Sequence, residues 1–342
     1  MRRLFRLSIL LLVLFDFAYS ALSQHKNVFD NFIKVENIQK ILPSINAEIK
    51  KCGVDVALFL VYKNGECKYG RVITDKNLDI NKTTFPLGKT SVALVSLMAE
   101  NMQHNGVINT SSDVSKIFSK FRTTKGNIKG ATIENLLSQT AGVPYLADKI
   151  PPESSVDEFF DTLAQMDFSV SGSSYYPSVA SQAIVGYVLA YSNETNSKDL
   201  KKSFVRSCRK YLFNPLKIDV VKFRNFDKWS FTTRAFALNL QGIQSWLACE
   251  TSDNPPIATA SAIALRRNNF LSNSACSNGW QKFAKAPFNA VYTADSNNMT
   301  VIYKVGQDTL AVSFFIKKDK GDYDFSFANI LKNVNLLLTE KF

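Results

Sequence analysis

The stretch Thr84–Val114, TFPLGKTSVALVSLMAENMQHNGVINTSSDV, decides how the rest of the chain is read. From Thr90 to Gln103, apolar side chains (Val92, Leu94, Val95, Leu97, Met98, Met102) fall on most faces of a helical period, and Asn105-Gly106 supplies a stop. A helix that is apolar nearly all round has to be enclosed by protein. The spacing therefore predicts a buried central helix, entered through Phe85 and Gly88, with Lys89 at its start.

Working outward, the flanks change period. Upstream, Val28–Lys51 has helical spacing (Phe32, Val35, Ile38, Ile41) and ends at Cys52-Gly53. Val54–Tyr62 and Cys67–Ile73 are strand-like runs around Asn64-Gly65, a dipeptide suited to a two-residue hairpin turn. Downstream, from Asp113 to about Trp280, the pattern is helical segments and polar loops, including Ile133–Leu137, Ser181–Tyr191 and Leu200–Leu212. The last sixty or so residues return to strands, Phe288–Thr293, Met299–Val305 and Leu310–Ile316, and close with an apolar-periodic helix, Phe325–Leu338. This order predicts an α+β fold: an antiparallel sheet built from both chain ends (about 28–85 and 280–342), flanked by terminal helices, with an inserted α-rich lobe (about 86–279). There is no internal repeat and no low-complexity tract.

With 342 residues and 46% apolar composition, the chain can bury a full core, which excludes disordered and fibrous classes. Met1-Arg2-Arg3-Leu4-Phe5-Arg6 precedes the apolar run Leu7–Phe17, and small residues at Ala18 and Ser20 give the pattern of a signal peptide cut before Ala21. The expected mature protein is residues 21–342, secreted or in the lumen of the secretory pathway, with no later apolar run long enough for a stable membrane span. Loss of the leader would lower the formal charge from +12 to +10, since Arg2, Arg3, Arg6 and Asp16 leave with it. The remaining Lys and Arg are dispersed without interleaved aromatics, a solvated surface rather than a nucleic-acid stripe. Sequons at Asn81, Asn109, Asn193 and Asn298 are candidate glycosylation sites.

Cys52, Cys67, Cys208, Cys249 and Cys276 are too scattered for a disulfide scaffold or a zinc site, and an odd count leaves at least one unpaired. Cys67 should lie opposite Tyr62 in the hairpin. Cys52 is then ten residues further along, about 33 Å in a straight strand, so the two should not pair. With only His25 and His104, both read as surface residues, a Ser-His-Asp triad has little to draw on. No cofactor or metal is expected.

Phe85, Gly88, Gly106 and the run to Asp113-Val114 resemble the nucleophile region of the serine β-lactamase and penicillin-binding family, which reads F-x-x-G-S-x-x-K, then a helix and Gly. Ala131–Pro144 (ATIENLLSQTAGVP) is similar to its T-I-x-x-L-L-x-H-T-S-G-L-P segment, and Phe213-Asn214-Pro215-Leu216 to its F-x-P-L-G-M element. Gln182–Val188 resembles the helix that follows its Tyr-x-Asn motif. The resemblance implies a serine hydrolase fold over most of the chain, weakest between Asp219 and Gly279.

That chemistry needs a serine hydroxyl at the helix start and a lysine amine one turn on. Here those positions hold Lys89 and Val92, and if Lys89 is taken as the motif lysine the nucleophile becomes Pro86. Thr90 and Ser91 lie about 100° and 200° around the helix from Lys89 and replace neither group. The Tyr-x-Asn region gives Tyr176-Pro177-Ser178 or Pro177-Ser178-Val179, and the Lys/His-Thr-Gly strand gives Tyr292-Thr293-Ala294. Catalytic residues are therefore expected to be absent, with Lys89, Val92, Tyr176 and Thr293 marking degenerate positions. A residual binding pocket is expected from Lys89, Tyr176, Ser178, Tyr292 and Thr293, and a ligand carboxylate could pair with Lys89. The leading expectation is a non-catalytic protein that binds a small acyl or peptide ligand, or a protein or glycan partner. The alternative is an acyl hydrolase with a displaced nucleophile at Ser91, Ser178, Ser207 or Lys89. Ser207-Cys208-Arg209-Lys210 matches S-x-x-K literally, but lies in a basic helix outside the family frame.

Overall fold

Val56–Lys63 (β1) and Glu66–Thr74 (β2) turn at Asn64-Gly65 and pair antiparallel, with Tyr62 opposite Cys67 as the sequence predicts. In the computed structural model, residues 28–318 and 327–339 are described, apart from 75, 119–129, 173, 196, 220 and 269–275. The leader lies outside the described residues. The three C-terminal strands are Asn289–Asp295 (β8), Asn298–Val305 (β9) and Asp308–Lys317 (β10). β10 inserts beside β1, giving the sheet order β2-β1-β10-β9-β8-β7-β6, in which neighbours run antiparallel. The two added strands, Cys276–Ser277 (β6) and Trp280–Lys282 (β7), are too short to carry a strand period, and the sequence reading does not find them.

β1 is buried along its whole length because both faces of the sheet are covered. Leu58 and Leu60 point to the helical lobe, where Leu94, Leu97, Met98, Trp246 and Trp280 meet them. Phe59 and Val61 point the other way, to the terminal helices, and Phe59 stacks on Phe314 with ring centres 4.7 Å apart. The terminal layer contains Val35–Gln39 (α1), Leu42–Cys52 (α2) and Ala328–Thr339 (α11). One continuous helix over Val28–Lys51 does not form. Pro43 falls in the first turn of α2, where its missing N–H is tolerated, but within one continuous helix it could not donate to the carbonyl of Gln39 and its ring would clash there, so the segment divides ahead of it. Gly53, at φ 59°, ends α2 in the left-handed conformation expected of Cys52-Gly53.

The lobe is organised on Ser91–His104 (α3), eleven of whose residues are buried. Val114–Ile117 (α4), Ile133–Leu137 (α5), Val156–Leu163 (α6), Val179–Asn193 (α7), Leu200–Cys208 (α8), Leu240–Thr251 (α9) and Ala260–Asn268 (α10) complete its helices among the described residues. A small sheet, Phe85–Pro86 (β3), Phe236–Leu238 (β5) and Val221–Phe223 (β4), leads the chain into α3. A buried ionic cluster holds the flank of α3. Glu250 on α9 pairs with Arg266 (2.7 Å) and Arg267 (3.0 Å) on α10, and Arg266 donates to Ala93 O and Ser96 Oγ on α3. No described helix is long and apolar enough to cross a membrane. Cys67, Cys208 and Cys249 carry free thiols.

Candidate functional site

The start of α3 meets the tip of the β8–β9 hairpin. Gly88–Thr90 forms one 3-10 turn before α3, and Gly88 takes φ +52°, which a side chain would strain. The backbone N–H of Lys89 donates to Asp295 Oδ2 at 2.7 Å. A Cβ placed on Gly88 would lie 1.7 Å from that same oxygen, so glycine is what lets the carboxylate reach the turn. The orphan N–H groups and partial positive charge of a helix start favour an anion there, and in this chain the anion is the protein's own.

The seam is closed on its inner side as well. Thr90, wholly buried, donates to Asn298 Oδ1 at 2.6 Å and accepts from Thr293 Oγ1 at 3.3 Å. Asn298 Nδ2 donates to both Pro86 O (3.1 Å) and Leu87 O (3.0 Å). Thr293, Asp295 and Asn298 thus bind the whole approach to α3 to the end of the β8–β9 hairpin. One turn on, Val92 is buried, and a Cβ on Gly279 would lie 2.4 Å from Ala93 N and 2.8 Å from Val92 C. The β6–β7 turn is thereby pressed onto the backbone where the resemblance would require a lysine amine with room to act.

A second carboxylate caps α7. Ser178 is its N-cap and accepts from Ser181 N at 3.1 Å. Asp148 accepts from Ser178 Oγ (3.0 Å), Val179 N (3.2 Å) and Ala180 N (2.8 Å). Gln139, at φ 59°, accepts from Tyr176 N through its carbonyl and from Ser178 N through its side chain. Tyr176 itself is 40% exposed and packs edge-on against the exposed Tyr145, over whose ring Lys149 Nζ sits at 4.8 Å. Close by, burial pushes the Tyr175 phenol up to about 12, with the Cys276 thiol adding to the shift. Burial pushes that thiol up to about 11 against the opposing hydrogen bond with Gln139, so it is not a thiolate at neutral pH.

The residues expected at one pocket are divided. Lys89 and Thr293 meet the same seam through Thr90, and Tyr176 and Ser178 share the Gln139 anchor. Tyr292 does not join them. Successive strand residues face opposite ways, and because Thr293 faces Thr90, Tyr292 turns to the terminal layer, where its hydroxyl donates to Gln281 Oε1 at 2.5 Å. Its expected place in the pocket is corrected accordingly. Asn298 is corrected too: it is fully buried with its amide spent on two carbonyls, so in the folded chain it cannot carry a glycan. Asn81 and Asn109 are exposed and Asn193 partly so.

The proposed substitute hydroxyls are also accounted for. Ser91 is wholly buried and accepts from Phe236 N at 3.2 Å, Ser178 is a cap, and Ser207 is wholly buried and donates to Ser203 O within α8. Lys89 alone of the four candidates presents an exposed side chain. The described residues contain no group of His, Cys, Asp or Glu arranged to hold a metal. Asp148 and Asp295, the two carboxylates that define the site, escape the sequence reading. A single acid in a polar loop carries no mark of the distant helix it will cap.

No family model and no curated protein matches the sequence. Solved structures do match the fold. A putative β-lactamase from Bacteroides dorei DSM 17855 superposes with a TM-score of 0.66 at 13% identity, over 88% of this chain and 99% of that one. The octameric penicillin-binding protein homologue from Pyrococcus abyssi gives 0.66 at 12%, over 88% and 77%. EstCE1, a hydrolase with promiscuous acyltransferase activity, gives 0.66 at 15%, over 89% and 98%. The chain therefore has the fold of the serine β-lactamases and penicillin-binding proteins, as the sequence resemblance implies, and these similarities speak to the fold alone.

Proposed function

We propose that this is an exported, non-catalytic protein on a serine-hydrolase fold, which acts by binding a peptide, protein or glycan partner at its surface. The observation that carries the reading is the closed seam at Lys89. An acyl-transfer site of this type must admit a carbonyl carbon to a nucleophile and offer N–H groups to the oxygen that becomes charged. Here no hydroxyl is available at the helix start, no amine stands one turn on, and the Lys89 N–H is already given to Asp295. Export rests on the leader pattern, and glycosylation at Asn81, Asn109 and Asn193 is part of the same proposal.

The test is covalent labelling of the purified protein with a fluorescent penicillin and a fluorophosphonate. The expected result is no labelling by either. Stoichiometric labelling that is lost in Lys89→Ala, Ser91→Ala, Ser178→Ala or Ser207→Ala would overturn the reading and establish a displaced nucleophile.

A further inference from the structure

On the face of the sheet opposite the seam, a cleft of about 580 Å³ opens between α11 and the segment joining β7 to β8. Its walls are apolar: Phe283 and Pro287 on one side, Leu331 and the half-exposed Leu336 on the other. The Phe283 ring packs edge-on against Tyr292 at 5.7 Å, so Tyr292 backs this cleft.

The polar groups of the cleft are of one kind. Lys285 and Lys332 stand exposed at its rim, without a carboxylate partner among the described residues. Asn335 accepts from Tyr303 Oη at 2.9 Å through Oδ1, which leaves Nδ2 without a partner among the described residues. Thr339 directs its hydroxyl to Asn335 O and Leu336 O. Three donors thus face an apolar groove whose described lining contains no carboxylate. The volume is within the range of small-molecule sites, and a ligand that satisfies the lining needs an anionic acceptor at one end and hydrocarbon over the rest.

We infer that this cleft binds a single-chain fatty carboxylate, with its head between Lys285, Lys332 and Asn335 and its tail along Phe283, Pro287, Leu331 and Leu336. The site lies on the other face of the sheet from Lys89 and does not depend on the fate of the catalytic positions.

Displacement of cis-parinarate from the purified protein tests it, with the carboxylates from decanoate to palmitate as competitors and the matching primary alcohols beside them. One saturable site is expected, its affinity rising about fourfold per added methylene until the cleft is filled. The alcohols, Lys285→Glu and Lys332→Glu should each bind about tenfold more weakly, the loss expected when a charge-assisted hydrogen bond is removed. Leu336→Glu should abolish binding. All three altered side chains are exposed, so near-ultraviolet dichroism should confirm unchanged folds. The inference is overturned if acids and alcohols compete equally, if folded variants bind like the parent, or if only vesicles containing anionic lipid are bound. Penicillin labelling reads the opposite face, so the two proposals fail separately.

Discussion

The starts of α3 and α7 are both capped by an aspartate from elsewhere in the chain, yet the two caps are built differently. At α7 the N-cap Ser178 is in place, and Asp148, thirty residues away, receives two backbone N–H groups and the Ser178 hydroxyl. At α3 there is no side-chain N-cap, and Asp295, 206 residues away, receives the Lys89 N–H. The first is an ordinary helix start reinforced from a neighbouring loop. The second is a helix start without a cap residue, to which the sheet has supplied an acid, and it lies at the position where the resemblance calls for chemistry. A helix start is therefore best read from what satisfies its N–H groups, whichever part of the chain supplies it.

The largest effect should come from the flank anchor that α3 has and that the α7 start lacks. Glu250→Ala would leave Arg266 and Arg267 buried without their carboxylate, and a loss of about 3–5 kcal/mol is expected in denaturant unfolding. A loss under 1 kcal/mol would mean that α3 is held from its ends alone. Asp148→Ala should cost less, about 2 kcal/mol, because Ser178 still caps one N–H. Asp295→Ala should cost least, about 0.5–1 kcal/mol, since one half-exposed charge–dipole contact is removed while the bonds of Thr90 and Asn298 remain. Thermal midpoints of the two single variants check the ranking. If Asp295→Ala proved the more damaging, the carboxylate would be a structural cornerstone and not a plug in a vacated site.

The fold was legible where period and turn chemistry agree. Asn64-Gly65 marked the first hairpin and the pairing beside its turn, up to a register shift between Val61 and Tyr62, the apolar faces of residues 91–104 marked the central helix, and the three C-terminal strands fell within a few residues of their predicted bounds. What escaped was short or long-range. Pro43 divides the first helical segment because a helix running through it would lose one backbone bond and clash at Gln39, which the apolar spacing does not register. Trp280–Lys282 is a strand because β8 offers it an edge, and Cys276–Ser277 because it folds back onto Trp280–Lys282, not because of their own pattern. The Glu250–Arg266–Arg267 cluster joins charges that resemble solvated surface until α9 and α10 pack. At the site, Lys89 and Val92 were legible as the residues that the resemblance sets at its serine and lysine positions, whereas Asp295 and Asn298, which hold the helix start, carried no mark of that contact beyond a sequon.

If the chain is exported as proposed, Asn298 sets an order of events in its life. On the proposed export route its Asn-Met-Thr signal would be available only before β9 closes onto Pro86 and Leu87, so folding and sugar transfer would compete for one nitrogen. In a lumen with an active oligosaccharyltransferase, a chain modified first would be unable to close its sheet against the central helix, and a chain folded first would be permanently protected. Intact-mass analysis of the native protein should find Asn298 bare, and a glycan there in folded material would show that the seam can open.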